Sequence, residues 1–255
     1  MPVACAAVAL LVCFGAGASA QTPEDPVIIP YIDGGSVRPA ETREEVSTSL
    51  HLFAILTVLS LAPAILIMTT SFTRIIVVFG LLRQALGLQN LPPNQIMVGL
   101  ALFLTVLVMT PTWAAVHEAA LKPYLDGQMS QVEACAEALP PVRAFMRRFT
   151  RAEDVFTLSR YASVSKPERW SEVPVRVLLP AFVLSELRTA FLMGFILFLP
   201  FLVIDLVVSS VLVSVGMLML PPVLVSLPVK LMLFVLCDGW NLVVGSLLGS
   251  LMAVA

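Results

Sequence analysis

The stretch AFLMGFILFLPFLVIDLVVSSVLVSVGMLMLPP, residues 190–222, runs for 33 residues with a single ionisable side chain, Asp205. A helix crosses a bilayer in about 20 apolar residues, so this segment is long enough to enter a membrane and to continue or fold back. Working outward, the 79 residues from Val177 to Ala255 hold five ionisable side chains: Glu186, Arg188, Asp205, Lys230 and Asp238. A charge at hydrocarbon depth costs several kcal/mol unless it faces protein or water. These five therefore point to a polar interior shared between helices or between subunits.

The whole chain agrees. Hydrophobic residues make up 58% of its 255 positions and charged residues 13%, with a mean hydropathy of +0.95. That composition specifies an all-α integral membrane protein of several spans rather than a soluble enzyme. A net charge of −2 gives no reason to expect nucleic acid as a partner.

Residues 1–20 have the form of a secretory signal. An apolar run from Val3 to Ala18 leads to Ala18-Ser19-Ala20, which places cleavage between Ala20 and Gln21. The run contains no Lys or Arg, so an uncleaved first helix is the alternative. Of the four cysteines, Cys5 and Cys13 leave with the signal, Cys237 lies in an apolar helix and Cys135 stands alone. No intrachain disulfide framework is expected.

Residues 21–49, with Pro23, Pro26, Pro30, Gly34, Gly35 and Pro39, read as an extended extracytoplasmic segment. Residues 50–116 read as a helical hairpin. Its first span is Leu50–Thr70, opened by Ser47-Thr48-Ser49 and interrupted by Pro63, and Ile96–Val116 returns after Pro92-Pro93. The connection 71–95 carries Arg74 and Arg83 and no acid, which predicts a cytoplasmic basic loop. Residues 117–176 hold nine basic and eight acidic side chains and form the one soluble region, a periplasmic set of two or three helices. In the remainder, Pro200, Pro221-Pro222 and Pro228 divide the apolar sequence into helices at 178–199, 202–219 and 229–252. Four hydrophobic spans are expected in all, several of them broken by proline.

Residues 60–105, from SLAPAILIMTT through SFTRIIVVFGLLRQALG to ALFLT, are highly idiosyncratic. So are 179–222, which include LPAFVLSELRTAFLMGF, and 227–247, LPVKLMLFVLCDGWNLVVGSL. These three blocks closely resemble the FliP family, export-gate components of the flagellar type III secretion apparatus, and the resemblance covers nearly all of the chain after residue 50. It implies a gate subunit and no catalyst. Several copies would join FliQ-like and FliR-like subunits, in the inner membrane at the flagellar basal body, beside other export-apparatus membrane proteins. Unfolded flagellar substrate proteins would pass through the centre. The signal, the 21–49 segment and Arg74, where the injectisome branch has a nearby Lys, favour the flagellar branch over an injectisome gate subunit. This chain differs from the family's usual pattern at Arg188, Leu192 and Leu218.

Under that resemblance Met217, Leu218 and Met219, bracketed by Gly216 and Pro221-Pro222, correspond to a methionine loop that constricts the channel. Methionine is unbranched and polarizable, so a ring of such loops excludes water yet remoulds around a passing chain. Read without the resemblance, the pair is core filler. Asp205 and Lys230, each alone in a span, are expected to pair within or between subunits; local snorkelling is the alternative for Lys230. Glu186 and Arg188 stand two apart on one helix and cannot face each other, so each should meet a different neighbour. Gly245 and Gly249 form G-x-x-x-G and permit close helix packing. Metalloprotease, phosphate-loop and nucleophile-elbow motifs are absent, and His51 and His117 stand singly. Neither a catalytic site, a metal nor a cofactor is expected. A small-solute secondary transporter is the competing class, but it predicts an internal repeat and none is visible.

Overall fold

The computed structural model describes residues 30–33, 36–39, 43–88, 91–162, 169–217 and 220–252. The expected cleavage pair Ala20 and Gln21, and the loop residues Leu218 and Met219, lie outside them. The described chain is helical apart from one short antiparallel ribbon, β1 (Pro30–Asp33) paired with β2 (Ser36–Pro39) with Tyr31 opposite Arg38. Residues 30–33 and 36–39 therefore pair with each other rather than running on as isolated extended chain.

Two compact units emerge: residues 1–66 with 116–140, and residues 67–115 with 141–255. The first holds the ribbon and most of α1 (Arg43–Thr69). It also holds a single wide helical turn at His117–Leu121, the short α4 (Lys122–Leu125) and the start of α5 (Gln131–Phe149). Helix α1 begins at Arg43, several residues before Ser47, the expected start. The amide of Ser130 and the Glu133 carboxylate bond each other at 2.7 Å, and Glu133 N–H donates to Ser130 Oγ at 3.3 Å. That reciprocal cap starts α5, and the amide of Ser130 holds the Glu133 carboxyl below the usual carboxylate range.

The second unit is built on two helices. α2 (Phe72–Ala85) lies along α7 (Val175–Ser214). Ile75, Val78, Phe79, Leu82 and Ala85 recur at helical spacing and are buried, as are Val177, Leu178, Ala181, Phe182 and Ala190 on α7. The expected loop 71–95 is thus mostly a core helix. Its apolar positions have a period near 3.6, which carries them into a packed face despite the two arginines. α3 (Asn94–Val116) supplies Met97, Ala101, Leu104, Val108 and Met109 to the buried set. From the 141–176 segment, α5's Phe145 and Phe149 stack at 5.0 Å between centroids, and Phe145 meets Phe182 of α7 edge-on at 6.0 Å. α6 (Ala152–Tyr161) docks on α7 through Ser185, which donates to Asp154 Oδ2 at 2.6 Å and accepts the Arg151 N–H at 3.0 Å.

Pro180 and Pro200 lie inside α7, which continues through the expected break at residues 200–201 for 40 residues. Each proline removes one backbone donor, and apolar surroundings leave the chain no better alternative to the remaining helical bonds. The expected 229–252 helix is broken instead. α8 (Pro222–Leu236) and α9 (Gly239–Met252) meet at 64°. Among the described residues, three helical stretches are long and apolar enough to cross a membrane, Ser49–Thr69, Asn94–Leu125 and Val175–Ser214, and the bent α8–α9 pair makes a fourth if taken as one span.

Gly194 lets α7 come close to Leu81 of α2. A Cβ there would lie 2.1 Å from Leu81 Cδ1 and 2.9 Å from Leu81 Cβ. The second atom is fixed to the backbone, so a rotamer change alone does not relieve the overlap. Gly194→Ala should force the two helices apart and destabilise the unit by about 1–3 kcal/mol, read as a lowered thermal midpoint in detergent.

Candidate functional site

Arg74, on the first turn of α2, is buried. Its Nε donates to Glu186 Oε2 at 2.8 Å and a second guanidinium nitrogen donates to Glu186 Oε1. Its remaining nitrogen reaches Ser250 Oγ on α9 at 3.2 Å, and the guanidinium carbon sits 5.2 Å from the centre of the Phe149 ring. The planar fork matches both carboxylate oxygens and stacks on an aromatic face, which a lysine does not do. One side chain thereby ties α2, α7, α9 and the end of α5. Arg74 was expected in a cytoplasmic basic loop; it is a buried partner of Glu186 on a helix. Glu186 meets a neighbour within the chain.

Asp205, about five turns further along α7, organises a second polar cluster. Its Oδ2 accepts from Lys230 Nζ at 2.6 Å and its Oδ1 from Ser226 Oγ at 2.6 Å, while Lys230 Nζ also donates to the Ala85 carbonyl at 3.0 Å. Ser226 and Lys230 are i, i+4 on α8 and so share a face. Ala85 closes α2; the amides of Leu86, Leu88 and Gly87 take the Leu82, Arg83 and Gln84 carbonyls, and the Ala85 carbonyl, at the negative end of the helix, takes the cation. Lys230 is 3% exposed and the Asp205 side chain 31%, so the ammonium is enclosed while the carboxylate keeps an open edge.

The other charges behave differently. Arg188 lies 3.6 Å from Glu153 in an exposed pair within the chain, and such pairs contribute little. Arg83 donates to Asn94 Oδ1 at 2.5 Å, joining the end of α2 to the start of α3. Asp238 forms no ion pair among the described residues. It occupies the break between α8 and α9 with φ +49°, donates its N–H to Val235 O and accepts the Leu242 N–H at 3.1 Å. Its backbone ends one helix and begins the next. Aspartate tolerates the left-handed region better than bulkier residues. Asp238→Gly should therefore be accepted, whereas Asp238→Val should cost about 1–2 kcal/mol, measurable as a difference in unfolding midpoint between the two variants. Gly239 is fixed for another reason, since a Cβ there would lie 2.2 Å from the Phe234 ring.

Gly245 and Gly249 were expected at a tight helix crossing. A Cβ at either meets nothing within 4 Å, so no close approach is made there among the described residues.

Helix α7 ends in a specific way. Gly216 has φ +79°, its N–H donates to Val213 O at 3.0 Å, and the Met217 N–H reaches back to Leu212 O at 3.0 Å. This pair of bonds with glycine in the left-handed position is a Schellman stop. It delivers Met217 beyond the helix end with its side chain 45% exposed. Sequence reading missed Ser226, Ser250 and the Ala85 carbonyl. The S-x-x-x-K spacing of 226–230 was the available signal for the first.

The charged knots, the Schellman stop and the break at Asp238 all fall in the stretch that a known family shares: the FliP family model matches residues 55–247. The chain belongs to the FliP family. It is 50% identical to the flagellar biosynthetic protein FliP of Bacillus subtilis over 207 residues, 81% of this chain and 94% of that protein. With the FliP of Caulobacter vibrioides it shares 54% over 201 residues, 79% of this chain and 76% of that one. With the FliP of Aquifex aeolicus it shares 48% over 207 residues, covering 79% and 85%. As a FliP family member it is a non-enzymatic membrane component of the flagellar export apparatus. Arg74, Glu186, Asp205 and Lys230 lie inside the matched region, and Ser250 lies just beyond it.

Proposed function

We propose that this chain is a subunit of the protein-conducting gate itself, assembled from several copies with FliQ-like and FliR-like partners in the inner membrane. Residues 1–20 act as its export signal, residues 117–176 lie on the periplasmic side, and unfolded flagellar proteins pass along the axis. The observation that carries this reading is the end of α7, where a glycine stop presents Met217 exposed beyond the helix end. Such a side chain excludes water when several meet and yields when a chain passes.

The length of α7 supports the assembly. Exposed large apolar side chains run from Leu184 to Val215, a rise of roughly 48 Å at 1.5 Å per residue. The hydrocarbon core is about 30 Å thick. Lipid covers only part of that length, and protein must cover the rest. A second copy and the FliQ-like and FliR-like subunits meet that need.

A photo-crosslinking residue at position 217 tests the reading, in cells carrying an export substrate fused to a domain that stalls in transit. The stalled substrate should crosslink at 217 and not at 235 on the exposed face of α8. Absence of substrate adducts at 217 in an assembled, export-competent complex would refute it.

A further inference from the structure

Between Asp205 and Ser226 lie the last turns of α7, the linker carrying Gly216 and Met217, and the first turn of α8. The two ends of this excursion are joined directly: Asp205 accepts Ser226 on one oxygen and Lys230 on the other, both at 2.6 Å. Lys230 in turn holds the terminal carbonyl of α2 at 3.0 Å. At the same place Val223 on α8 lies 3.7 Å from where a Cβ of Gly87 would stand, just past the end of α2. Polar and apolar contacts thus seat the start of α8 against the end of α2. All of these groups belong to one chain.

We infer that Asp205, Ser226 and Lys230 form an intrachain clamp that closes the base of the Met217 hairpin within each subunit, and that Ser226 is its positioning residue. A carboxylate bonded by Lys230 alone could swing about its own Cβ–Cγ bond. A second donor on the opposite oxygen fixes the plane of the group, and with it the distance between the two arms of the hairpin. Ser226 is fully buried and aims its hydroxyl at Oδ1, while Lys230 is engaged with Oδ2 and with the Ala85 carbonyl. Each hairpin is then set before subunits meet, and assembly brings preformed tips together. The inference rests on the gate reading for its purpose but not for its geometry.

Two measurements on the full complex test it. In the first, Asp205→Lys and Lys230→Asp are placed in one chain, or as single changes on two chains produced together. An intrachain clamp predicts that assembly returns, in part, with both changes in one chain and stays lost with the two singly changed chains. Recovery from the co-produced chains would mean that the pairing runs between subunits, and the inference would be overturned. In the second, Met217→Cys is introduced into a chain whose four cysteines are replaced by serine, and its reaction with a water-soluble maleimide is timed. Ser226→Ala removes a hydrogen bond to a charged group, a loss that shifts a local opening by about tenfold, and labelling should accelerate accordingly. Ser226→Thr keeps the donor and should return the rate toward the parent value. The same labelling on the isolated subunit in detergent serves if Ser226→Ala does not assemble. An unchanged rate in Ser226→Ala would remove Ser226 from the clamp. Labelling at 217 reports hairpin mobility whether or not the tip lines a pore, whereas the substrate crosslink tests the gate, so the two readings fail separately.

Discussion

Replacing Arg74 with alanine should remove nearly all assembled complex. The substitution leaves Glu186, itself fully buried, with a carboxylate that has lost both guanidinium donors, and stranding one member of a buried pair costs about 3–5 kcal/mol. Domains are stable by only about 5–15 kcal/mol, so the loss consumes a large share of the total. Arg74→Lys should be intermediate. It keeps the charge but loses the fork, the reach to Ser250 and the stack on Phe149. Changing both partners to apolar residues of similar size, Arg74→Met with Glu186→Leu, should regain much of the stability, since no charge is then left alone. Yield of folded protein after detergent extraction, with thermal unfolding, checks the series. If Arg74→Ala proves as stable as the double change, the pair is not the lock described here.

The partner of Arg74 shows where sequence reading ran out. Within 71–95 there is no acid, and a local reading therefore took two arginines in an apolar stretch as topogenic charges. The counter-charge is 112 positions away, a distance that periodicity does not address. Asp205 and Lys230 were legible because each stood alone among apolar residues and only 25 positions separate them. Their burial cost left few options but each other. The helical, membrane-spanning character followed directly from composition. The boundaries did not, because proline signals a lost donor rather than a lost helix. Pro200 is absorbed within α7, while the true break, at Asp238, is carried by a residue whose left-handed backbone has no signature beyond the neighbouring Gly239. Likewise G-x-x-x-G at 245–249 describes what two helices can do, and the described residues bring nothing close to either glycine.

Changing Met217 and Met219 together to alanine should leave a complex that assembles yet leaks. Met217 lies beyond the Schellman stop and outside the packed core, 45% exposed, so truncating it removes little buried area and opens no cavity within the subunit. Stability should change by no more than about 0.5 kcal/mol at such an exposed position. The effect belongs at the axis, where shortened side chains from several copies no longer meet and water enters the constriction. Once a hydrophobic constriction is wetted, ions follow. Cells overproducing the complex with the double change should show raised permeability to small ions or solutes and reduced motility, whereas a leucine at both positions restores apolar bulk without methionine's flexibility. That leucine variant should seal well and export poorly, because a stiffer ring closes on water but remoulds less readily around a passing chain. Wild-type impermeability in an assembled alanine variant would return Met217 to an ordinary exposed residue of the hairpin and would place the seal elsewhere along the channel.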